Sequence, residues 1–232
     1  MPRSGIRSFP RTDVIPKKVA APRRRDADIA YEAIEALIST MVLPPGSPVV
    51  EAEVSERVGL GRTPVREALM RLMSIGLIVQ QPRRGLLVAP IDLANHLDVI
   101  LTRRVLERVI ASCSARRANA AERQQIADCA ERMVAAAARD DLKAYMRADH
   151  DLDVANHAAC RNASAVTAVV PLVTQCRRFW YAYQHAGEIR EGARCHALLA
   201  HGIARGSEAE AVQGADALMD YLEAFTRRVI DN

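Results

Sequence analysis

The sequence predicts a mostly α-helical protein: an N-terminal winged helix-turn-helix of three helices and a β-hairpin, then an antiparallel six-helix bundle. Three observations support this fold class. Aromatic residues make up only 4% of the 232 residues and alanine is abundant, a composition that favours helix over strand. Apolar residues recur at helical spacing along most of the chain. Strand-like runs occur at 77–79 and 86–88, and none follows residue 92.

The composition excludes some classes of protein. Half of the residues are hydrophobic, yet no apolar run reaches the roughly 18 residues that span a bilayer. The first residues include arginines but no apolar segment of the kind found in secretory signals. The five cysteines are an odd number and show no C-x-x-C spacing, which is typical of reduced, buried thiols. We therefore expect a cytoplasmic protein that does not contact membranes.

Residues 1–26 form a basic, proline-rich arm. They contain eight arginines or lysines and two aspartates, a charge of +6, whereas the whole chain carries +4. The arm lacks periodicity, so we expect it to be disordered. It is either attracted to a phosphate backbone or a solvated tail without a role.

Residues 27–90 predict the first domain. Apolar residues at helical spacing, separated by prolines and glycines, indicate helices at about 28–41, 51–58 and 63–75. The two strand-like runs flank a polar turn at 80–85 and form a hairpin. This order is that of a winged helix-turn-helix, in which the later helix places its N-terminal residues against base edges in the major groove.

The start of the third helix carries the candidate DNA-reading residues. Arg62 and Arg66 are four residues apart, so both project from one helical face. An arginine can donate two parallel hydrogen bonds to guanine, and Thr63 can contact a phosphate or a thymine methyl group. The alternative is that these arginines only solubilise a surface helix.

The run Gly-Leu-Gly-Arg-Thr-Pro-Val-Arg-Glu-Ala-Leu at 59–69, with Pro-Arg-Arg-Gly at 82–85, resembles the DNA-binding domain of the GntR superfamily. The resemblance implies a DNA-contacting set of Arg62, Thr63, Pro64, Arg66, Arg84 and Gly85. Gly85 would let the wing tip approach the minor groove, because a side chain there would clash or be incompatible with positive φ. Two residues depart from the family pattern. Gly61 stands where serine or threonine is usual, and Ala52 where some members have a DNA-contacting arginine.

Residues 91–232 predict an all-helical domain for dimerisation and effector binding. Helices are expected at 92–118, 120–138, 141–160, 164–186, 189–205 and 208–230. Asn119 with Glu122 forms a capping box, and Asp140 is a candidate N-cap. Helices of this length with short connections favour an antiparallel bundle. The cluster 177–181 contains several of the aromatic residues, and we interpret it as a packing seam or dimer contact.

No catalytic motif is present in this half, so we do not expect an enzyme. The most polar segment places Asp149, Asp153 and His157 at successive helical turns, on one stripe. Such a stripe could hold a divalent cation, although acidic helix surfaces without metal are more common.

This half resembles the FCD ligand-binding domain of the FadR-type branch of GntR regulators. The matching residues are Arg103 with Glu107, Asp149 with Asp153, the pair Cys195-His196, and the segment 217–222. Many members bind a metal through one aspartate and three histidines, and the metal holds a carboxylate effector. Only Asp149 and His196 match that quartet, since Asp153 and Tyr221 replace two of the histidines.

Two kinds of effector site therefore remain open. Asp149, Asp153 and His196 could hold one divalent metal such as zinc, nickel or manganese. Alternatively, the pocket is metal-free, and Arg103 and Tyr221 bind an organic acid directly. Arg103 could instead form an intrahelical salt bridge with Glu107.

We expect a homodimeric transcriptional regulator, in most cases of this family a repressor, that binds double-stranded operator DNA and responds to an organic acid. Two alternatives belong to other classes. One is a metal-dependent helical hydrolase that uses Asp149, Asp153 and His196 around an activated water. The other is a non-specific, architectural DNA-binding protein that relies on the basic arm.

Overall fold

A computed structural model of the chain describes residues 25–185 and 187–231, so most of the arm lies outside the described residues. The mostly helical class, with a small antiparallel sheet near the N-terminus, is confirmed. The elements are α1 (Asp26–Ser39), α2 (Glu51–Val58), α3 (Arg62–Ser74), β1 (Ile78–Gln81), β2 (Gly85–Val88), α4 (His96–Arg117), α5 (Ala120–Ala138), α6 (Leu142–Cys160), α7 (Ala163–Tyr183), α8 (Glu188–Arg205) and α9 (Glu208–Ile230).

The first three helices and the hairpin share one hydrophobic core. The buried side chains of α1 and α3, among them Ile34 and Leu69, pack against each other and against the hairpin. The strands pair from Ile78 with Val88 to Gln81 with Gly85. They therefore extend into the segment that the sequence predicted to be a turn. Residues 46–49 also pair with β2. The sequence did not predict this pairing, because proline and glycine at the start of the segment indicated only the end of a helix.

Helices α4 to α9 enclose a second and larger core. Helices α8 and α9 are in especially close contact, because glycines stand where they cross. A Cβ atom on Gly214 would lie 2.5 Å from backbone atoms of Leu199, and one on Gly202 would lie 2.4 Å from the backbone nitrogen of Ala211. Side chains at these two positions would push the helices apart.

The local predictions in this half are largely confirmed. Asn119 and Glu122 form the expected capping box, and all five cysteines are free and buried. The N-cap prediction was one residue off: Asp141 accepts the hydrogen bond from the Ala144 amide, while Asp140 has a φ of +53° in the turn before it. Helix α4 begins at His96 rather than 92, because Asp92 accepts a hydrogen bond from the Asn95 amide in a turn.

The two cores meet where α1 lies against α7. The guanidinium of Arg178, on α7, donates a hydrogen bond to the carbonyl of Ala89, just after the hairpin. The rings of His96 and Phe179 stack with centroids 3.8 Å apart. Burial lowers the pKa of His96 to about 4, so this ring is neutral at the junction. Within the described ranges, no helix is long and apolar enough to cross a membrane.

Candidate nucleic-acid interface and buried cavity

The N-terminal end of α3 is open to solvent. Its inner face is anchored by Val65 and Ala68, which are fully buried in the first core. Arg62, Thr63 and Arg66 are exposed on the opposite side. Gly61 at the N-cap position provides no side-chain hydrogen bond to the helix, as its identity predicts. The arginines are therefore presented outward rather than packed within the domain.

Arg66 has a partner that the sequence did not reveal. Its Nε lies 3.0 Å from Oε1 of Glu51, and its Nη2 lies 2.8 Å from Oε2 of the same carboxylate. This two-pronged pair joins α3 to the start of α2, and the hydrogen bonds from Arg66 lower the pKa of Glu51. The Arg66 side chain remains 65% exposed. Arg66 is accessible, and its Nη1 is not part of this pair, so only a base contact made through Nε and Nη2 would require it to leave Glu51.

The turn of the hairpin contains Arg83, Arg84 and Gly85, all of them exposed. Gly85 has a φ of +78°, and Arg83 also has a positive φ of +66°. A Cβ on Gly85 would meet no atom within 4 Å. In the free protein the glycine is therefore required by its backbone conformation rather than by crowding. The Nη1 of Arg84 lies 3.3 Å from the side-chain oxygen of Gln81, at the base of the turn.

All five residues predicted to bind an effector line one buried cavity within the second core. These residues are Arg103, Asp149, Asp153, His196 and Tyr221. They come from α4, α6, α8 and α9, and α7 closes the remaining side. The cavity has a volume of about 30 Å³, which is room for roughly one or two water molecules.

A sixth residue, Arg177 of α7, also lines this cavity and bonds both of its aspartates. Its Nε lies 2.6 Å from Oδ2 of Asp149, and its Nη2 lies 2.6 Å from Oδ2 of Asp153. Although burial raises the pKa of Asp149, the charge of Arg177 and the hydrogen bond from His196 outweigh it, and the pKa is lowered. One guanidinium thus bridges the two carboxylates.

His196 completes this cluster beside Asp149. Its Nε2 lies 3.1 Å from Oδ1 of Asp149, and its Nδ1 lies 2.7 Å from the carbonyl oxygen of Gly192. Both partners are acceptors, so the protonated ring satisfies both of them as a double donor. Burial lowers the pKa of His196, but the bond to Asp149 outweighs it, and the pKa is raised above its usual value.

Arg103 and Tyr221 form the rest of the polar wall. Arg103 makes the intrahelical pair that the sequence predicted as one alternative, with Nε 2.9 Å from Oε1 of Glu107. Arg103 also lines the cavity, so its other predicted role, binding an organic acid, stays a prediction. The Tyr221 hydroxyl accepts a hydrogen bond from the indole of Trp180 at 2.6 Å and lies 3.0 Å from Glu188.

This donor arrangement does not fit a divalent metal. Arg177 occupies the space between the two carboxylates that would have to converge on the ion, and both nitrogens of His196 face other acceptors. His157, the third member of the predicted stripe, does not line the cavity. Among residues 25–185 and 187–231, no three His, Cys, Asp or Glu side chains are placed to share a metal ion.

Sequence reasoning missed Arg177, because the neighbouring aromatic residues suggested only a packing seam. A signal was nevertheless present. Arg177 follows Val173 by four residues and precedes Trp180 by three, so it lies on the face of α7 that these buried residues turn toward the core. A charged residue on such a face requires a partner of opposite charge.

Comparisons with known proteins identify both domains. The family model described as bacterial regulatory proteins, gntR family, matches residues 27–88, and the FCD domain model matches residues 98–221. An uncharacterised HTH-type transcriptional regulator from the TAR-I ttuE-ttuC' intergenic region of Agrobacterium vitis is 34% identical over 143 residues, which is 60% of this chain and 82% of the relative. The HTH-type transcriptional repressor RspR of Escherichia coli K12 is 36% identical over 81 residues, about a third of each chain.

Two solved structures share the fold. E. coli McbR/YncC superimposes with a TM-score of 0.76 at 16% identity, over 90% of this chain and all of that chain. A transcriptional regulator GntR from Rhodococcus sp. RHA1 gives 0.62 at 17% identity, over 88% of this chain and 97% of that chain.

Proposed function

Since the chain belongs to the GntR family of bacterial regulatory proteins and contains an FCD domain, we propose that it is a homodimeric repressor released from its operator by an organic carboxylate. The observation that carries the proposal is the open N-terminus of α3. Arg62, Thr63 and Arg66 are exposed there on a buried, rigid base, and the wing lies on the same domain. RspR, a partial relative, is itself described as a repressor.

The cavity supports a metal-free effector site. Arg103 and Arg177 provide two guanidinium groups, which match a carboxylate as two-pronged donors. Asp149 and Asp153 hold Arg177 in place rather than an ion, and His196 is bonded to Asp149. The same engagement argues against the hydrolase alternative, because the groups that would activate a water are already paired with one another or with Arg177. At about 30 Å³, the cavity must expand when an effector enters.

An apolar stripe on α4 supports the dimer. Leu101, Val105 and Val109 are spaced four residues apart and are 64%, 63% and 42% exposed. Exposed apolar side chains in a row on one helical face are typical of a protein–protein contact. A two-fold dimer would place two copies of α3 on successive turns of a palindromic operator.

The test begins with DNA selected from random-sequence duplexes by the full chain. A regulator of this kind enriches a palindromic site and gives a discrete footprint. An architectural protein enriches no particular sequence, and its affinity for all duplexes falls equally as the salt concentration rises. A thermal-shift screen of sugar acids, dicarboxylates, amino acids and acyl compounds, with and without EDTA and divalent metals, then tests the effector class. A compound that stabilises the fold only with metal would refute the metal-free site.

A further inference from the structure

Arg177 connects the cavity to the DNA-binding domain. While its Nε and Nη2 hold the two aspartates, its Nη1 lies 3.3 Å from Oε1 of Glu35 on α1. Arg177 also lines two larger cavities between the domains, of about 580 and 240 Å³. Its guanidinium is therefore the wall between the effector cavity and the domain interface.

The contact to Glu35 is shielded from water. The side chains of Arg177 and Glu35 are 9% and 6% exposed, so their attraction is screened far less than that of a surface pair. Glu35 is held in place by the hydroxyl of Ser39, which donates to Oε1 at 3.1 Å. Helix α1 in turn packs on α3, and Arg71 of α3 binds Asp28 of α1 at 2.9 Å.

The charges around Arg177 are already unbalanced. Among the groups that line the effector cavity or bond directly to its arginines, the cations are Arg103, Arg177 and His196 in its protonated form, and the carboxylates are Glu35, Glu107, Asp149 and Asp153. The sum is −1 with His196 protonated and −2 with it neutral. A further carboxylate brought into this dry cluster would raise the negative charge, at a high desolvation cost.

An incoming carboxylate is tolerated if one of the four leaves. Glu107, Asp149 and Asp153 belong to helices α4 and α6 of the bundle itself and cannot depart without unpacking it. Glu35 belongs to the other domain, and separation of α1 from α7 removes it together with its charge. The exchange of one carboxylate for another then leaves the charge of the cluster unchanged.

We propose that the effector carboxylate replaces Glu35 on Nη1 of Arg177, and that this exchange detaches α1 from α7 and moves α3 out of the DNA-binding arrangement. This inference rests on the proposed function and adds the route of regulation. Effector and Glu35 compete for one guanidinium, so each weakens the hold of the other by the same factor.

Glu35→Gln tests the exchange. Glutamine keeps the length of the side chain and an acceptor for Ser39, so the fold is retained, which thermal unfolding checks. It removes the charge that holds Arg177. Glu131→Gln, an exposed carboxylate on α5, is the matched control for the change in net charge.

Three measurements separate the outcomes. We expect Glu35→Gln to bind the selected duplex about 5- to 150-fold more weakly than the wild type and the control, the usual range of coupling between sites. We expect faster backbone hydrogen exchange in α1. We also expect sodium acetate, compared with sodium chloride at equal ionic strength, to raise the melting temperature of Glu35→Gln more than that of the wild type, since Nη1 is then free for a carboxylate.

Unchanged duplex affinity together with an unchanged response to acetate would overturn the exchange, even where the wild type binds its selected site. Failure of the wild type to select any duplex would instead overturn the proposed function, so the two results are distinguishable. Equal losses in Glu35→Gln and Glu131→Gln would assign the effect to net charge and also refute the exchange.

Discussion

Replacement of Arg66 by alanine is the sharpest test of base reading by α3. A two-pronged arginine–guanine contact discriminates between bases by a factor of about 5 to 150. In this protein a base contact made through Nε and Nη2 would break the pair with Glu51, and the loss of that pair would offset part of the gain from Arg66. Its side chain is 65% exposed and that of Glu51 is 33% exposed, so the pair contributes a factor of at most about 5. We expect Arg66→Ala to lower specific affinity about 5- to 150-fold where the pair is kept in the complex, and about 1- to 30-fold where base binding breaks it at the full factor of about 5.

The assay is fluorescence anisotropy with the selected duplex, in competition with a scrambled duplex of the same length. Arg139→Ala, an exposed arginine at the end of α5, controls for the lost charge. Arg66→Ala should weaken binding to the selected duplex more than to the scrambled one. Equal losses on the two duplexes would show that Arg66 contacts only phosphates and would refute base reading.

Glu51→Gln provides a test of opposite sign. If Glu51 competes with the base for Arg66, its neutralisation releases the guanidinium and raises specific affinity by up to about 5-fold. A loss of specific affinity in Glu51→Gln would show that the pair orients Arg66 for DNA rather than withholding it, and the range of about 5- to 150-fold would then apply to Arg66→Ala.

Three further predictions concern the second domain. In the wild type, the stabilisation from the His196–Asp149 pair is complete below a pH of about 6.5 and is lost as the pH rises through the raised pKa of His196. His196→Gln should flatten this part of a plot of melting temperature against pH. The buried His96, whose pKa is lowered to about 4, lowers the melting temperature of both proteins as the pH falls below about 6.5. Gly214→Ala should lower the free energy of unfolding by about 1–3 kcal/mol in urea titrations, because its Cβ would lie 2.5 Å from the Leu199 backbone. Gly61→Ala is the control: its Cβ would lie 3.8 Å from Cδ of Pro64, an ordinary contact, and it should change the free energy of unfolding by roughly less than 1 kcal/mol. Val105→Glu should convert the dimer to monomer in sedimentation experiments, and Val134→Glu, 47% exposed on α5, should not; a dimeric Val105→Glu would remove α4 as the interface.

The parts of the structure that sequence reasoning predicted are those with local causes. The helices, the Asn119–Glu122 capping box and the hairpin follow from periodicity, caps and turn residues a few positions apart. The open start of α3 follows from the alternation of Val65 and Ala68 with the arginines. The five cavity residues came from the resemblance to the FCD domain rather than from periodicity.

The contacts that were missed connect residues distant in sequence. Arg66 meets Glu51 because of how α2 and α3 cross, and residues 46–49 pair with β2, which lies about 40 residues further along the chain. Arg177 of α7 meets Asp149 and Asp153 of α6 and Glu35 of α1. The identity of Arg177 indicated a need for partners, but only the packing of α1 and α6 against α7 determines which carboxylates supply them.

The small volume of the cavity also has a kinetic consequence. With room for one or two water molecules beside Arg103 and Arg177, the closed bundle cannot admit an organic acid on collision. Uptake has to wait for a transient opening of the helices, so the observed association rate should level off as the effector concentration rises, at the frequency of that opening. The speed with which the regulator senses its signal would then be a property of the bundle and not of diffusion.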